Sequence, residues 1–231
     1  MTNNLHKAEQ HDVIPFEKFY DTRPDVVRER HYQGWPLAEI RDPFLRNNLE
    51  RTYQTIKGAV ADNSKILCLS CTLTTACGVQ SGRDWFRHDA MRHFLRVLPN
   101  KLLYLQKQQP HYKPDDPDAV LDYVWRADNP APGDQRKYYV LLLLNYPAAV
   151  GHDEYSNAID QLKHTIKTAW MAATNAHENH IERLVHFDRA PTYISQDELQ
   201  TVQELFKQAS LLSRSYELDL GIGLHLFGAS R

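Results

Sequence analysis

The sequence predicts an α+β fold, a small antiparallel sheet with flanking helices, preceded by an N-terminal, mostly helical extension over residues 1–62. Three observations carry this. The segments KILCLSCTLTT, AVLDYVWRA and KYYVLLLLN are rich in β-formers, and the last two flank the turn sequence NPAPGDQ, as a hairpin requires. Between and after these strands, apolar residues recur at helical spacing, most clearly Ile159, Leu162, Ile166, Ala169 and Trp170. A chain of 231 residues has room for one ordinary domain with an accessory segment, so strands and helices are expected in a single unit over residues 63–231.

In chain order, residues 1–36 are polar and broken by Pro15, Pro24 and Pro36, which suggests an arm or loosely packed extension. Asp42 and Pro43 read as an N-cap and first helical proline, opening a helix that carries Phe44, Leu49, Tyr53, Ile56 and Val60 on one side. The first core strand follows at 65–75. Asp89 is placed to open a second helix with Met91, Phe94, Leu95 and Leu98 inward, until Pro99 interrupts or kinks it, with Lys101–Gln106 as an extension. QQPHYKPDDPD is a loop by its prolines, and the hairpin comes next. After a GHDEY turn comes the helix through Trp170, then a short strand at RLVHF and a turn at PTY. Ser195 with Glu198 reads as a capping box for a helix carrying Leu199, Val202, Phe206 and Ala209. The glycine-punctuated tail GIGLHLFGASR is expected to return to the sheet.

Composition excludes several classes. The longest apolar run, YYVLLLLNY, falls short of the roughly 20 residues of a membrane helix, so no membrane partner is expected. MTNNLHKAEQHD lacks the apolar core of a signal peptide, which makes a cytoplasmic location the expectation. Cys68, Cys71 and Cys77 fit a reducing compartment. Cys68 and Cys71 form a CxxC, but on a strand their odd separation sends them to opposite faces, and no second ligand pair follows. Buried thiols are favoured over a metal site, and no cofactor is expected. The net charge of -2 argues against a large non-specific DNA footprint while leaving a local basic groove open.

Several ordered segments bring a resemblance into view: YVLLLLN at 139–145, AW at 169–170, LVHF with Pro191 and Tyr193, QASLLSR at 208–214, and the terminal GIGLHLFGASR. Together, over roughly residues 64–231, they resemble the C-terminal domain of the YagK/YfjJ prophage proteins, which is similar to inovirus replication proteins. That resemblance implies a branch of the HUH single-strand endonucleases, the fold of rolling-circle replication initiators. In such enzymes a sheet presents two histidines to a divalent metal, and a helix-borne tyrosine attacks the polarised DNA phosphate.

The residues that match those positions depart from the pattern. Where the resemblance implies His-Tyr-His-Val, this chain reads Lys137-Tyr138-Tyr139-Val140, with Lys137 and Tyr139 on one face by strand alternation. A lysine ammonium offers no lone pair to a metal, and tyrosine, with an ordinary pKa of about 10, is a poor ligand. At the implied nucleophile stands Leu211, three residues before Arg214. At about 100° per residue, Leu211 points opposite Val202 on the helix, with Lys207, Gln208 and Arg214 on its side. The resemblance implies an acidic residue near Asp128, with a small offset, a Gly-Asp-Gly where this chain has Gly221-Ile222-Gly223, and often an arginine where His225 stands. A divalent metal is therefore expected only if the chain is active, with Tyr216, His225 and Asp128 as substitutes for the lost groups. His186 reads as a structural histidine, and His177 and His180 as residues of a solvated loop.

The basic residues give the leading expectation. Arg92 and Arg96 are adjacent on one helix face, while Arg126, Arg136, Lys137, Lys207 and Arg214, beside Tyr138 and Tyr139, are placed to converge near the old active site. Such a groove suits single-stranded or hairpin DNA, and the chain is expected to be a pseudoenzyme in a regulatory or accessory role. The bland alternative is a solvated surface whose charges are paired with acids such as Asp84, Asp89 and Asp134. Two other functions stay open. One is a protein-interaction module acting through residues 1–62, where Phe16, Phe19, Tyr20, Tyr32 and Trp35 make an aromatic stretch. The other is an active DNA-nicking enzyme with a relocated site.

Overall fold

A computed structural model describes residues 25–39, 43–75, 85–108, 120–128, 135–145, 152–214 and 226–231. In chain order the elements are β1 (Val26–Val27), β2 (His31–Tyr32), β3 (Trp35–Pro36), β4 (Phe44–Leu45), α1 (Arg46–Asp62), β5 (Lys65–Thr74), α2 (Trp85–Lys107), β6 (Leu121–Ala127) and β7 (Lys137–Leu144). They continue with α3 (His152–Thr174), a 3-10 turn at Glu178–His180, α4 (Ile181–Leu184), β8 (Val185–Phe187), β9 (Thr192–Ser195), α5 (Leu199–Ala209), a second 3-10 turn at Ser210–Ser213, and β10 (Phe227–Ala229). The fold is α+β.

The main sheet runs β10-β6-β7-β5-β8, with β9 also paired to β5, and every pairing is antiparallel. β5 is long enough to hold β8 at Cys71–Leu73 and β9 at Lys65–Cys68 along the same edge. β7 lies between β6 and β5, which explains its unbroken apolar run: a strand covered on both faces has no polar side to show. The predicted β6–β7 hairpin is present, with Arg126 opposite Tyr139 and Val124 opposite Leu141.

Strand alternation divides the core into two layers. Leu67, Leu69, Cys71 and Leu73 of β5, and Tyr138, Val140, Leu142 and Leu144 of β7, meet α2 and α3. There Trp170 is fully buried, edge-on to Phe94 and Tyr138 at 5.6 Å each, and its indole N–H donates to the Thr74 carbonyl at 2.9 Å. On the other face Ile66, Cys68, Val124, Leu141 and Leu143 meet α1 and α5 through Leu49, Ile56, Val202 and Phe206. Residues on both sides of position 62 build this second layer.

Cys68 and Cys71 therefore point to opposite layers, as their spacing predicts. Burial pushes the Cys68 thiol up to about 12 and moves Cys71 further in the same direction. A raised thiol pKa favours the neutral form, so this stabilisation is complete below the ordinary value of 9.0 and is lost as pH rises towards the folded value. Native protein treated with iodoacetamide at mildly alkaline pH is expected to leave Cys68 and Cys71 unlabelled until denaturant is added. Peptide mass spectrometry checks this, and rapid labelling of either thiol in the native state would contradict it.

Several local expectations are corrected. The first helix begins at Arg46 rather than at Asp42-Pro43, because Phe44 is extended, buried and paired with Val27; Asp42 itself lies outside the described residues. Residues 25–36 are no loose arm: Val27 and Tyr32 are buried, and the Tyr32 hydroxyl donates to Glu50 of α1. β2 and β3 form a hairpin through Gln33 and Gly34, with φ of 51° and 80°, the doubly left-handed turn that suits strand twist. α2 starts at Trp85 and continues through Pro99, since Leu98, Leu102 and Leu105 extend one buried stripe across it. α3 takes up part of the expected GHDEY turn.

PTY is not a turn but enters β9, where Ile194 is buried against the second layer. The Ser195 capping box is also absent. Ser195 ends β9 and its hydroxyl donates to the Ser64 carbonyl at 3.3 Å, while Glu198 occupies the N-cap of α5 without a side-chain cap bond. The tail does return to the sheet as β10. Arg231 binds Asp62 and Asp122 at 2.6 and 2.9 Å, and Arg51 donates to the Ala229 carbonyl at 2.7 Å, tying this edge to α1 and β6.

Candidate functional site

The face of the sheet beneath α1 and α5 is apolar over only part of its length. Ile66, Cys68, Val124, Leu141 and Leu143 are followed, at the same strand parity, by Thr72 and Thr74 on β5, Arg126 on β6, and Lys137 and Tyr139 on β7. His186 joins them, because Val185 and Phe187 on either side face the first layer. The register sets out one row across five strands: Phe227, Arg126, Tyr139, Thr72 and His186. Lys137 lies at the end of this row's face, opposite Thr74. Pairing of distant strands thus gathers polar groups that the sequence holds far apart.

The groups differ in burial and in attachment. Arg126 is 2% exposed, a cation set into the sheet itself. Tyr139 is half-buried and its hydroxyl donates to Asp128 Oδ2 at 3.1 Å. Lys137 is exposed, as is His186. Thr72 donates to Asp188 Oδ1 at 3.0 Å, so the segment after β8 is pinned beside the row. Neither the Asp188 contact nor the Tyr139–Asp128 bond was identified from sequence. The first depends on the β5–β8 pairing, which no local pattern reveals.

The α5 end closes the same layer. Leu211 lies beyond α5, in the 3-10 turn Ser210–Ser213, so its direction does not follow from the α-helical angle. It is nevertheless 36% exposed, because Ser210 and Ser213 are buried and Leu212 packs against the second layer. The turn packs on α1 and β6, with Ser213 beside the Thr52 hydroxyl at 3.1 Å. Chain from the N-terminal side flanks it: Ala38 N donates to Ser210 Oγ at 3.1 Å, and Phe44 bridges Arg214. Arg214 is half-buried. Lys207 is 4.0 Å from Glu204, and Arg189 donates to Gln208 at 2.5 Å, so these polar groups of α5 are engaged with neighbours.

The expected basic set is split. Arg126, Lys137 and Tyr139 share the face described above, and Lys207 and Arg214 belong to the layer that covers it. Arg136 does not converge with them. It has the parity of Tyr138 and is buried; its backbone N–H donates to the Thr75 hydroxyl, its carbonyl accepts from Thr75 N, and it hydrogen-bonds the Tyr138 hydroxyl, whose pKa burial nonetheless pushes up. Arg92 and Arg96 are exposed on α2, which covers the opposite face, so the sheet separates them from Lys137. His177 and His180 are exposed at the turn after α3, with the His177 ring accepting from Asn179 N at 3.4 Å. Cys77, Asp84, Asp134, Tyr216, Gly221, Gly223 and His225 lie outside the described residues, as does the side chain of Asp89.

This face carries an exposed ammonium, a buried guanidinium and a hydroxyl held by a carboxylate. Among protein-family models, that of the YagK/YfjJ C-terminal domain matches residues 27–230. The match takes in α1 and the short N-terminal strands as well as the sheet. No curated protein and no solved structure matches the chain.

Proposed function

The chain belongs to the YagK/YfjJ C-terminal domain family, and from that premise we propose that it is a catalytically degenerate, rolling-circle-initiator-like protein of a prophage or mobile element. It binds single-stranded or hairpin DNA in a regulatory or accessory role. The observation that carries this reading is the polar end of the sheet face, where Lys137, Tyr139 and Arg126 stand together. Cations on a surface of this kind attract phosphates, and a partly exposed tyrosine ring is a platform for a base. The degeneracy rests on chemistry: the exposed Leu211 is a hydrocarbon and cannot attack phosphorus.

Two measurements test the reading. In fluorescence anisotropy with labelled single-stranded and hairpin oligonucleotides, binding is expected at low salt and should weaken steadily as salt rises. Absence of binding to either DNA at low salt would sink it. In a cleavage assay on single-stranded DNA with manganese, no strand scission is expected; metal-dependent cutting that disappears in Tyr216→Phe would instead establish an active enzyme with a relocated site. The interaction-module alternative has less to work with in the described part of residues 1–62. Tyr32 is buried, and Trp35 packs edge-on against Tyr53 and Phe206 at 4.9 and 5.5 Å.

A further inference from the structure

The enzymes that this family resembles use a divalent ion to draw in the DNA phosphate, and the residues present here do not fit such an ion. Lys137 carries a positive charge and no lone pair at neutral pH. Tyr139 would have to ionise to become a good ligand, yet its hydroxyl proton is donated to Asp128. Arg126, one cross-strand neighbour away, is a permanent cation and would repel a second one. Asp128, His186 and Asp188 are the donors that remain, and the Asp188 carboxylate already accepts from Thr72. Asp128 follows β6 while His186 lies on β8, and β7 and β5 intervene. At about 4.8 Å per strand spacing, their backbones stand roughly 14 Å apart across the sheet, whereas metal–ligand bonds span about 2.0–2.6 Å. Among the described residues, no group of three or more His, Cys, Asp or Glu side chains could hold a metal ion.

We propose that this face binds the DNA phosphate through Lys137 directly, in the field of Arg126, and so independently of any divalent metal. The proposal rests on the DNA-binding reading above and specifies its chemistry. Lys137 is exposed at the strand start, and Arg126, opposite Tyr139 two residues further along, is buried on the same face. The Asp128 carboxylate is engaged by the Tyr139 hydroxyl, which reduces its competition for the lysine. An exposed cation with a buried one beside it suits a phosphodiester, whose charge is shared between two oxygens.

The test is anisotropy with a fluorescein-labelled single-stranded oligonucleotide, in EDTA and in magnesium or manganese at matched ionic strength. It compares the full chain with Lys137→Gln and with Lys107→Gln, a control at the end of α2 on the far side of the sheet. Wild-type affinity is expected to be the same in EDTA and in either metal. Lys137→Gln should lower the slope of log K against log salt by about 0.7, the share of one single-strand phosphate contact, and at roughly 0.1 M salt this weakens binding about fivefold. Lys107→Gln should match wild type. Tightening by metal, or a Lys137→Gln protein that binds like wild type or no worse than Lys107→Gln, overturns this proposal and leaves the DNA-binding reading standing. Failure of the wild-type chain to bind in any condition overturns both.

Discussion

Trp170→Ala is expected to cost about 3–5 kcal/mol of folding stability, the range for emptying a large buried aromatic site. That is a large share of the roughly 5–15 kcal/mol that holds a domain together. Trp170 is the largest fully buried side chain among the described residues, and it joins three elements: Phe94 of α2, Tyr138 of β7, and the Thr74 carbonyl at the end of β5. Its removal leaves a cavity between helices and sheet, and strands that carbonyl without its donor. Trp170→Phe separates these effects. The ring contacts largely survive, so the remaining loss, about 1–3 kcal/mol, reports the unsatisfied carbonyl and the smaller ring. Urea denaturation followed by circular dichroism measures both. A Trp170→Ala protein within about 1 kcal/mol of wild type would show that α3 does not brace the sheet through this residue.

Phe206→Ala should have an effect of similar size, again about 3–5 kcal/mol, on the opposite face. Phe206 is fully buried and meets Trp35 at 5.5 Å and Tyr53 at 5.7 Å, both edge-on. Such pairs contribute about 0.5–1.5 kcal/mol each beyond the area they bury. The residue links α5 to α1 and to the β2–β3 hairpin, so the loss should be felt first by the N-terminal strands. Limited proteolysis is expected to cut Phe206→Ala within residues 25–45 under conditions that leave wild type intact. Phe206→Leu keeps most of the apolar volume and should lose less than about 1.5 kcal/mol. If Phe206→Ala unfolds as wild type does and resists protease equally, the hairpin is held by other contacts.

Much of the architecture was legible in the chain. β5, β6 and β7 carry the β-formers and apolar runs of half-buried or fully buried strands, and each lies where those patterns place it. Helical spacing around Trp170 likewise located α3. The errors fell where a distant partner overrode a local signal. Asp42-Pro43 looks like a helix start, but Phe44 is drawn into pairing with Val27. Pro99 looks like an interruption or kink, but the helix and its buried stripe run on through it to Leu105. Ser195 has a capping partner at the right spacing, yet its hydroxyl is taken by Ser64 at the end of a strand pairing.

The candidate site divides along the same line. The sequence alone determined the chemistry: lysine and tyrosine at 137 and 139, leucine at 211, and the opposite directions of Cys68 and Cys71 all follow from residue identity and from a strand period of two. Only the tertiary structure decided which charges share a surface. It put Arg126 beside Tyr139, brought His186 and Asp188 to the same face through β8, turned Arg136 inward beside Tyr138, and left Arg92 and Arg96 behind the sheet. Parity along a strand is a local property of the backbone. Which strands pair, and which face a helix covers, are settled by burying apolar area across the whole chain, and that is why the row was not visible until the chain was folded.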